Sequence, residues 1–353
     1  MPAEQGFVHE QRALRVVLRR GAVAEVPAEI DRLGARRVLL VGSARHGDGV
    51  ARALAGSLAA RVTDPRMHVP IEQAVAARAL ADEHRIDACV AVGGGSAIGL
   101  AKAVALHRPV PVLAVPTTLS GSEATRVWGL TEGGVKRTGK DPAVAPRVLV
   151  YDPDLAAALT VARAVPSLVN ALAHAVEALW APDRTPLTDV LAAEGATVLV
   201  RVLQGLAPGS GPTLAEHADA ALHGAWLCGT VLDATTMSLH HKLAHTLGGT
   251  FGLPHAEVHT VLLPHVLAFN APADAEVFRR VLGGPDPADR LQRLIADLCG
   301  PTSLGALGFR ASDVARATEL ALASPYANPR PLDAAAVREL LTRALGGDRP
   351  RPE

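Results

Sequence analysis

Two hydrophobic patterns divide the chain. Up to about residue 150, short β-branched runs alternate with alanine-rich stretches whose apolar positions recur at helical spacing, the pattern of a mostly parallel sheet with helices packed on it. Val38 to Val41, Ala88 to Val92, Val112 to Val115 and Val148 to Tyr151 are predicted strands. Beyond Tyr151-Asp152-Pro153-Asp154 the alternation stops and long helical periodicities take over. The expected organisation is an α/β domain over residues 1–155 and an all-α domain over residues 156–353. Stretches rich in proline and glycine at Ala207 to Pro212 and Gly283 to Pro287 read as loops between helices, and the closing GGDRPRPE reads as a frayed tail.

Composition narrows the function classes. A chain of 353 residues exceeds the length at which one core stops growing, and 49% apolar residues suffice for two cores. Thirty-five basic residues balance thirty-five acidic ones, so no global field draws the protein to nucleic acid or an anionic membrane. Cys89, Cys228 and Cys299 lie far apart, which suggests neither a disulfide framework nor a cysteine zinc site. The opening MPAEQGFVHEQRALRVV has no apolar signal core, and no apolar run nears the roughly 20 residues that span a bilayer. A cytoplasmic location is the expectation.

The run Ala91-Val92-Gly93-Gly94-Gly95-Ser96-Ala97-Ile98-Gly99-Leu100-Ala101-Lys102 leaves a predicted strand and opens a helix. Glycines let the backbone approach a pyrophosphate, and the first amides of the helix offer donors at its positive dipole end. Gly93, Gly94, Gly95, Ser96 and Lys102 are candidate phosphate contacts, with Ser96 also a candidate cap; a tight turn without ligand is the plain alternative. A second turn, Pro116-Thr117-Thr118-Leu119-Ser120-Gly121-Ser122-Glu123, follows the next strand and adds Thr117, Thr118 and Ser120. Two such turns make the first domain a dinucleotide-binding candidate. Where an acidic residue would accept from the ribose of NAD, the chain reads Val41-Gly42-Ser43-Ala44-Arg45. Gly42, Ser43 and Arg45 therefore leave NADH and NADPH both open, Arg45 being either a partner for a 2′-phosphate or a solvated helix-start cation.

The second half places Asn170 four residues before His174, and His241 four before His245, each pair on one helix face. His255 follows in Gly252-Leu253-Pro254-His255. Imidazoles from three segments suit a first-row metal, a proton relay or a carboxylate clamp, and spacing does not separate these uses.

Taken together, GGGSAIGLAKAVAL, WGLTEGG at Trp128 to Gly134, NALAHAVEALWA, HHKLAHTLGGTFGLPHAE and LLPHVLAFNAP resemble the iron-containing alcohol dehydrogenase family. The likeness runs from Arg15-Val16-Val17 to Asn328-Pro329-Arg330 and is closest to the maleylacetate reductases, which have glycine at position 99 where typical alcohol dehydrogenases have aspartate. The resemblance implies an NAD(P)H-dependent reductase of the activated double bond of maleylacetate, giving 3-oxoadipate in aromatic-compound catabolism. A homodimer comes with it. The family's metal ligands, one aspartate and three histidines, match Asn170, His174, His241 and His255. An amide in place of the carboxylate makes a metal doubtful. His245, His241, His174, His255 and Lys242 are the implied catalytic group, with His245 first for proton delivery. Asn170, Arg126 and Arg330 are the implied contacts of a small dicarboxylate substrate. Leu119 and Arg126 depart from the subfamily pattern, which has tyrosine and proline there. The alternatives are a metal-dependent alcohol or aldehyde dehydrogenase, a redox-neutral cyclase, and a silent family member.

Overall fold

The computed structural model describes residues 6–133, 135–206, 213–273 and 275–351. The expected loop at Ala207 to Pro212 and the final Gly134 of WGLTEGG lie outside the described residues. The chain divides into two compact units. One joins Arg12–Leu159 to Leu214–Leu222; the other collects the described residues of Met1–Gln11, Thr160–Thr213 and His223–Glu353. This differs from one cut after residue 155, and hydrogen bonds account for both reassigned segments. His9 Nδ1 shares a hydrogen bond with Thr185 Oγ1 at 3.3 Å. Arg20 donates to Asp154 at 2.9 Å and Asp219 at 2.6 Å, and Leu214 N donates to Leu159 O at 2.9 Å.

The first unit is a six-stranded parallel sheet of β1 (Arg15–Leu18), β2 (Val38–Val41), β3 (Leu58–Val62), β4 (Ala88–Gly93), β5 (Val112–Pro116) and β8 (Val148–Tyr151), ordered β1-β8-β5-β4-β2-β3. Helices α1 (Val26–Arg32), α2 (Ala44–Ala53), α3 (Ile71–Glu83) and α4 (Gly95–His107) connect successive strands, and the single turn α5 (Pro153–Ala156) follows the last one. All four predicted strands form. β2, β4, β5 and β8 are buried along their length, which their unbroken apolar runs require. The edge strands β1 and β3, carrying Arg15 and Arg61, went unpredicted because arginine interrupts their apolar signal. An antiparallel hairpin, β6 (Val127–Glu132) with β7 (Val135–Lys140), interrupts the βα alternation. Val38, Leu40, Val90, Val92, Leu113, Val115, Val148 and Val150 lead one core layer, against which Val26, Ile30, Val50 and Leu54 pack.

The second unit is helical, with α6 (Val161–Trp180), α7 (Pro186–Gly205), most of α8 (Ala218–Ala234), α9 (Leu239–Phe251), α10 (His255–Asn270), α11 (Ala275–Leu282), α12 (Pro287–Asp297), α13 (Val314–Leu322) and α14 (Ala334–Gly346). Gly252 closes α9 with φ 69°, a left-handed conformation that glycine adopts without strain, and α10 starts three residues later. The tail does not fray over its described length. Arg349 Nε reaches Asp289 Oδ1 at 2.7 Å, and Gln292 Nε2 donates to Asp348 O at 3.0 Å.

Candidate active site

In the first unit, β2 and β4 are neighbours whose chain continuations leave in opposite directions across the sheet, the switch point at which open α/β sheets bind nucleotides. Gly42 ends β2 so close to β4 that a Cβ there would lie 2.7 Å from Val92 O. Gly94 is the N-cap of α4 and has no side-chain cap, so Ser96 does not fill the capping role expected of it. A Cβ on Gly94 would meet Thr118 Cγ2 at 2.8 Å, whereas the space beside Gly95 is open. Thr117, buried, donates its N–H to Gly93 O at 3.0 Å, which joins the two glycine-and-hydroxyl turns. Ser120 Oγ and Ser122 Oγ share a hydrogen bond at 2.9 Å. Ser43 starts α2, and Arg45 is exposed on its first turn. Uncapped helix amides beside open space at a switch point fit a dinucleotide's phosphates.

Lys102 departs from its expected place at those phosphates. It is buried, and its ammonium donates to the carbonyls of Ser122, Thr125 and Val127 at 2.8–2.9 Å and to Thr125 Oγ1 at 3.2 Å. Its work is to tie α4 to the turn before β6. Lys102→Met should cost several kcal/mol, because each stranded buried acceptor costs about 1–3 kcal/mol. Nucleotide affinity measured well below the lowered Tm should change little; a large affinity loss with an unchanged Tm would return Lys102 to the phosphates. Behind the same turn, Tyr151 donates its hydroxyl to Glu123 Oε1 at 2.9 Å. Burial raises the Glu123 carboxyl above the usual carboxylate range, and burial followed by the Glu123 charge raises Tyr151 well above the phenol value. Gly99 faces Val69: a Cβ there would stand 2.8 Å from Val69 Cγ2, so any side chain at this position requires Val69 to shift.

In the second unit, α6, α9 and α10 bring six imidazoles together. His174 Nδ1 lies 2.8 Å from His241 Nε2, and His241 Nδ1 lies 2.7 Å from Glu177 Oε2. The Glu177 carboxylate also accepts the N–H groups of Ser238 at 2.9 Å, His240 at 2.8 Å and His241 at 3.3 Å, so a side chain of α6 caps α9. A second string runs from His240 Nε2 to His259 Nδ1 at 2.7 Å and from His259 Nε2 to His255 Nε2 at 3.3 Å. His245, exposed, stands edge-on to His241 at 6.1 Å between centroids and stacks on His255 at 5.9 Å. Burial first, then neighbouring imidazoles, holds His240 and His259 well below the ordinary histidine pKa, and both are neutral.

His174, His241, His245 and His255 are thus together, with Asn170 one turn before His174 on α6. Glu177, His240 and His259 are members that sequence reasoning missed. A signal existed for each: Glu177 is one turn after His174, His240 adjoins His241, and His259 is one turn after His255. Two expected members lie elsewhere. Lys242 reaches out to Ser324 Oγ at 3.4 Å. The Arg330 guanidinium lies over the Phe269 ring at 4.4 Å and donates to Phe269 O, while its carbonyl accepts from Asn328 Nδ2 at 2.7 Å, and Asn328 Oδ1 in turn accepts from Ser238 Oγ at 2.7 Å. Arg126 introduces the β6–β7 hairpin, its carbonyl accepting from Asp141 N at 3.0 Å, and belongs to the first unit.

The donor set departs from the family's at one position, where the neutral amide of Asn170 stands for a carboxylate. Asn170 Oδ1 is buried and has no hydrogen-bond partner among the described residues. His174 and His241 spend nitrogens on each other, and among the described residues no group of three or more His, Cys, Asp or Glu side chains is arranged to hold a metal ion.

A parallel sheet with paired phosphate turns, joined to a helical unit with an imidazole cluster, defines a nucleotide-dependent oxidoreductase. The chain belongs to the iron-containing alcohol dehydrogenase family, whose N-terminal model matches residues 13–153 and whose C-terminal model matches residues 164–345. It is 44% identical to a maleylacetate reductase of Sphingobium indicum over 97% of this chain and 98% of that one, and 44% identical to that of Pseudomonas knackmussii over 98% and 99%. Among solved structures, a maleylacetate reductase from Agrobacterium tumefaciens aligns with a TM-score of 0.92 at 41% identity, covering 98% of this chain and all of that one.

Proposed function

We propose that this protein reduces the activated double bond of maleylacetate, using NADH or NADPH, to give 3-oxoadipate, and that it needs no metal. The full-length identity to maleylacetate reductases carries this reading, and the donor set supports the metal-free half of it. A nicotinamide nucleotide, when bound at the glycine turns, supplies the hydride. The residues of the chain do the rest. Gly93 to Ser96 and Thr117 to Ser120 hold phosphates and orient the nucleotide, and the missing carboxylate after Val41 leaves both nucleotides acceptable. Hydride addition to the alkene carbon remote from the ketone leaves an enolate, which needs hydrogen-bond donors and one proton at the carbon next to the ketone. His245 is the exposed imidazole of the cluster and the proton donor in this reading. Asn170, through its amide, and the half-buried His255 are polar contacts for the dicarboxylate. A ketone or aldehyde reductase would call for a Lewis acid on the oxygen, for which this donor set is poorly built.

The reading extends to a cytoplasmic homodimer. Cys89, Cys228 and Cys299 are free thiols, as a reducing compartment allows. No helix of the described residues is long and apolar enough to cross a membrane.

Absorbance at 340 nm tests the whole reading. With fresh maleylacetate, NADH or NADPH should be oxidised at the same rate before and after exhaustive EDTA treatment. Loss of activity on chelation, restored by Fe²⁺ or Zn²⁺, would point to the metal-dependent dehydrogenase. Nucleotide binding without oxidation would point to a cyclase or a silent protein.

A further inference from the structure

Glu177 has no part in the chemistry described so far, yet its carboxylate takes part in four hydrogen bonds. It is fully buried, and its bonding partners are N–H groups: the backbone amides of Ser238, His240 and His241, and His241 Nδ1. From this geometry we infer that Glu177 is a positioning residue that fixes the tautomers of both His241 and His174. The inference rests on the maleylacetate reading only for its kinetic consequence.

The chain of deduction is short. Glu177 Oε2 accepts the backbone N–H groups of Ser238 and His241 and Oε1 accepts that of His240, so both carboxylate oxygens act as acceptors. With three backbone amides already pointing at it, the contact at 2.7 Å to His241 Nδ1 is made by an N–H on that ring nitrogen. In its neutral form His241 carries its one hydrogen on Nδ1, and Nε2 bears the lone pair. The neighbour 2.8 Å from that lone pair is His174 Nδ1, which must then be the donor. His174 Nε2 is left as an acceptor in its turn. One carboxylate on α6 thereby sets every hydrogen along a string that crosses to α9 and returns to α6.

This arrangement divides the labour of the cluster. With both imidazoles neutral, His174 Nε2 bears a lone pair and accepts a hydrogen from whatever contacts it. The Glu177–His241–His174 string also orients both rings, since His241 is held at two edges and by its own backbone amide. A carboxylate that merely capped α9 would need the three amides and would leave the ring nitrogens indifferent.

The experiment reads the rings directly. In the full-length protein labelled with [15N]histidine, without substrate or nucleotide, His174 and His241 are assigned by their replacement one at a time. Both rings should show a protonated Nδ1 and an unprotonated Nε2. An Nε2–H on either ring overturns the inference, whatever the enzyme turns over. Glu177→Gln supplies the kinetic arm. It keeps the volume but offers one acceptor oxygen where four N–H groups converge, so kcat should fall about 10- to 100-fold, the usual effect of losing a residue that orients a functional histidine. KM and nucleotide Kd should stay near wild type, and Glu177→Asp should recover part of the loss. Wild-type kcat in the glutamine variant with unchanged ring spectra would also overturn it. If wild type fails to reduce maleylacetate, the functional reading falls while the spectra still decide the tautomers. If the glutamine variant does not fold, the wild-type spectra decide alone.

Discussion

Replacing His245 with alanine should lower kcat/KM for maleylacetate by about 10²- to 10⁴-fold, the range that a positioned acid or base contributes. Nucleotide affinity and Tm should hardly move. The reasoning starts from exposure. His174 and His241 are buried and bonded to each other, His240 and His259 are buried and held neutral, and His255 is half-buried. His245 is exposed, one turn beyond His241 on α9, and stacked on His255. An exposed imidazole can gain a proton from water after each turnover, which a deeply buried one cannot do without a relay. Its removal deletes little core packing, so the fold should tolerate it. The glycine turns proposed to hold the nucleotide belong to the other unit, so nucleotide affinity is read as a separate control. Steady-state rates at 340 nm and a fluorescence titration with NADH check both halves. A variant that keeps wild-type kcat would remove His245 from the reaction. One that loses nucleotide affinity as steeply as kcat would show that its role was mistaken for chemistry.

Much of this was legible in the chain, and the limits have physical causes. β2 and β8 were predicted over the residues that form them because they are buried on both faces, so their sequences are unbroken apolar runs. The hairpin β6–β7 was not, because its residues are mainly half-buried or exposed and Leu130 is its one clearly buried apolar residue among those described. The histidines at four-residue spacing were found because helix periodicity puts such pairs on one face. Lys102 and Arg330 show the opposite case. Sequence offers a cation near a phosphate turn, or in a motif shared with relatives, but not whether the cation faces outward. Three backbone carbonyls claim Lys102, and an aromatic ring claims Arg330. Glu177 is hidden for a related reason: its partners are largely backbone amides at the start of α9, and a backbone amide leaves no mark on the sequence.

The replacement of Asn170 by aspartate should convert the cluster from one indifferent to metal into one that requires compensation. Asn170 is buried, and its Oδ1 has no hydrogen-bond partner. A carboxylate there carries a full charge into the same place, and an uncompensated buried ion costs several kcal/mol. Two compensations are within reach: a proton on a neighbouring imidazole, or a divalent cation drawn to one carboxylate and the nearby imidazole nitrogens. Without added metal the variant should therefore be less stable than wild type. A loss of about 3 kcal/mol lowers Tm by roughly 4 °C in a chain of 353 residues, whose unfolding entropy is about 2.1 cal/mol/K per residue. Added Zn²⁺ at about 100 times its Kd should restore about 2.7 kcal/mol by mass action, and EDTA should take it away again. Wild type should show neither response, because the neutral amide provides no charge to balance. Calorimetry with and without Zn²⁺ and EDTA reads all four states. Wild type losing Tm on chelation would mean that the amide serves as a ligand, and the metal-free mechanism would fall with it. A metal response confined to the aspartate variant would instead trace the loss of the family's iron to a single side chain. In that case the chain keeps its histidines because the reduction of a conjugated double bond still needs their hydrogen bonds after the Lewis acid has gone.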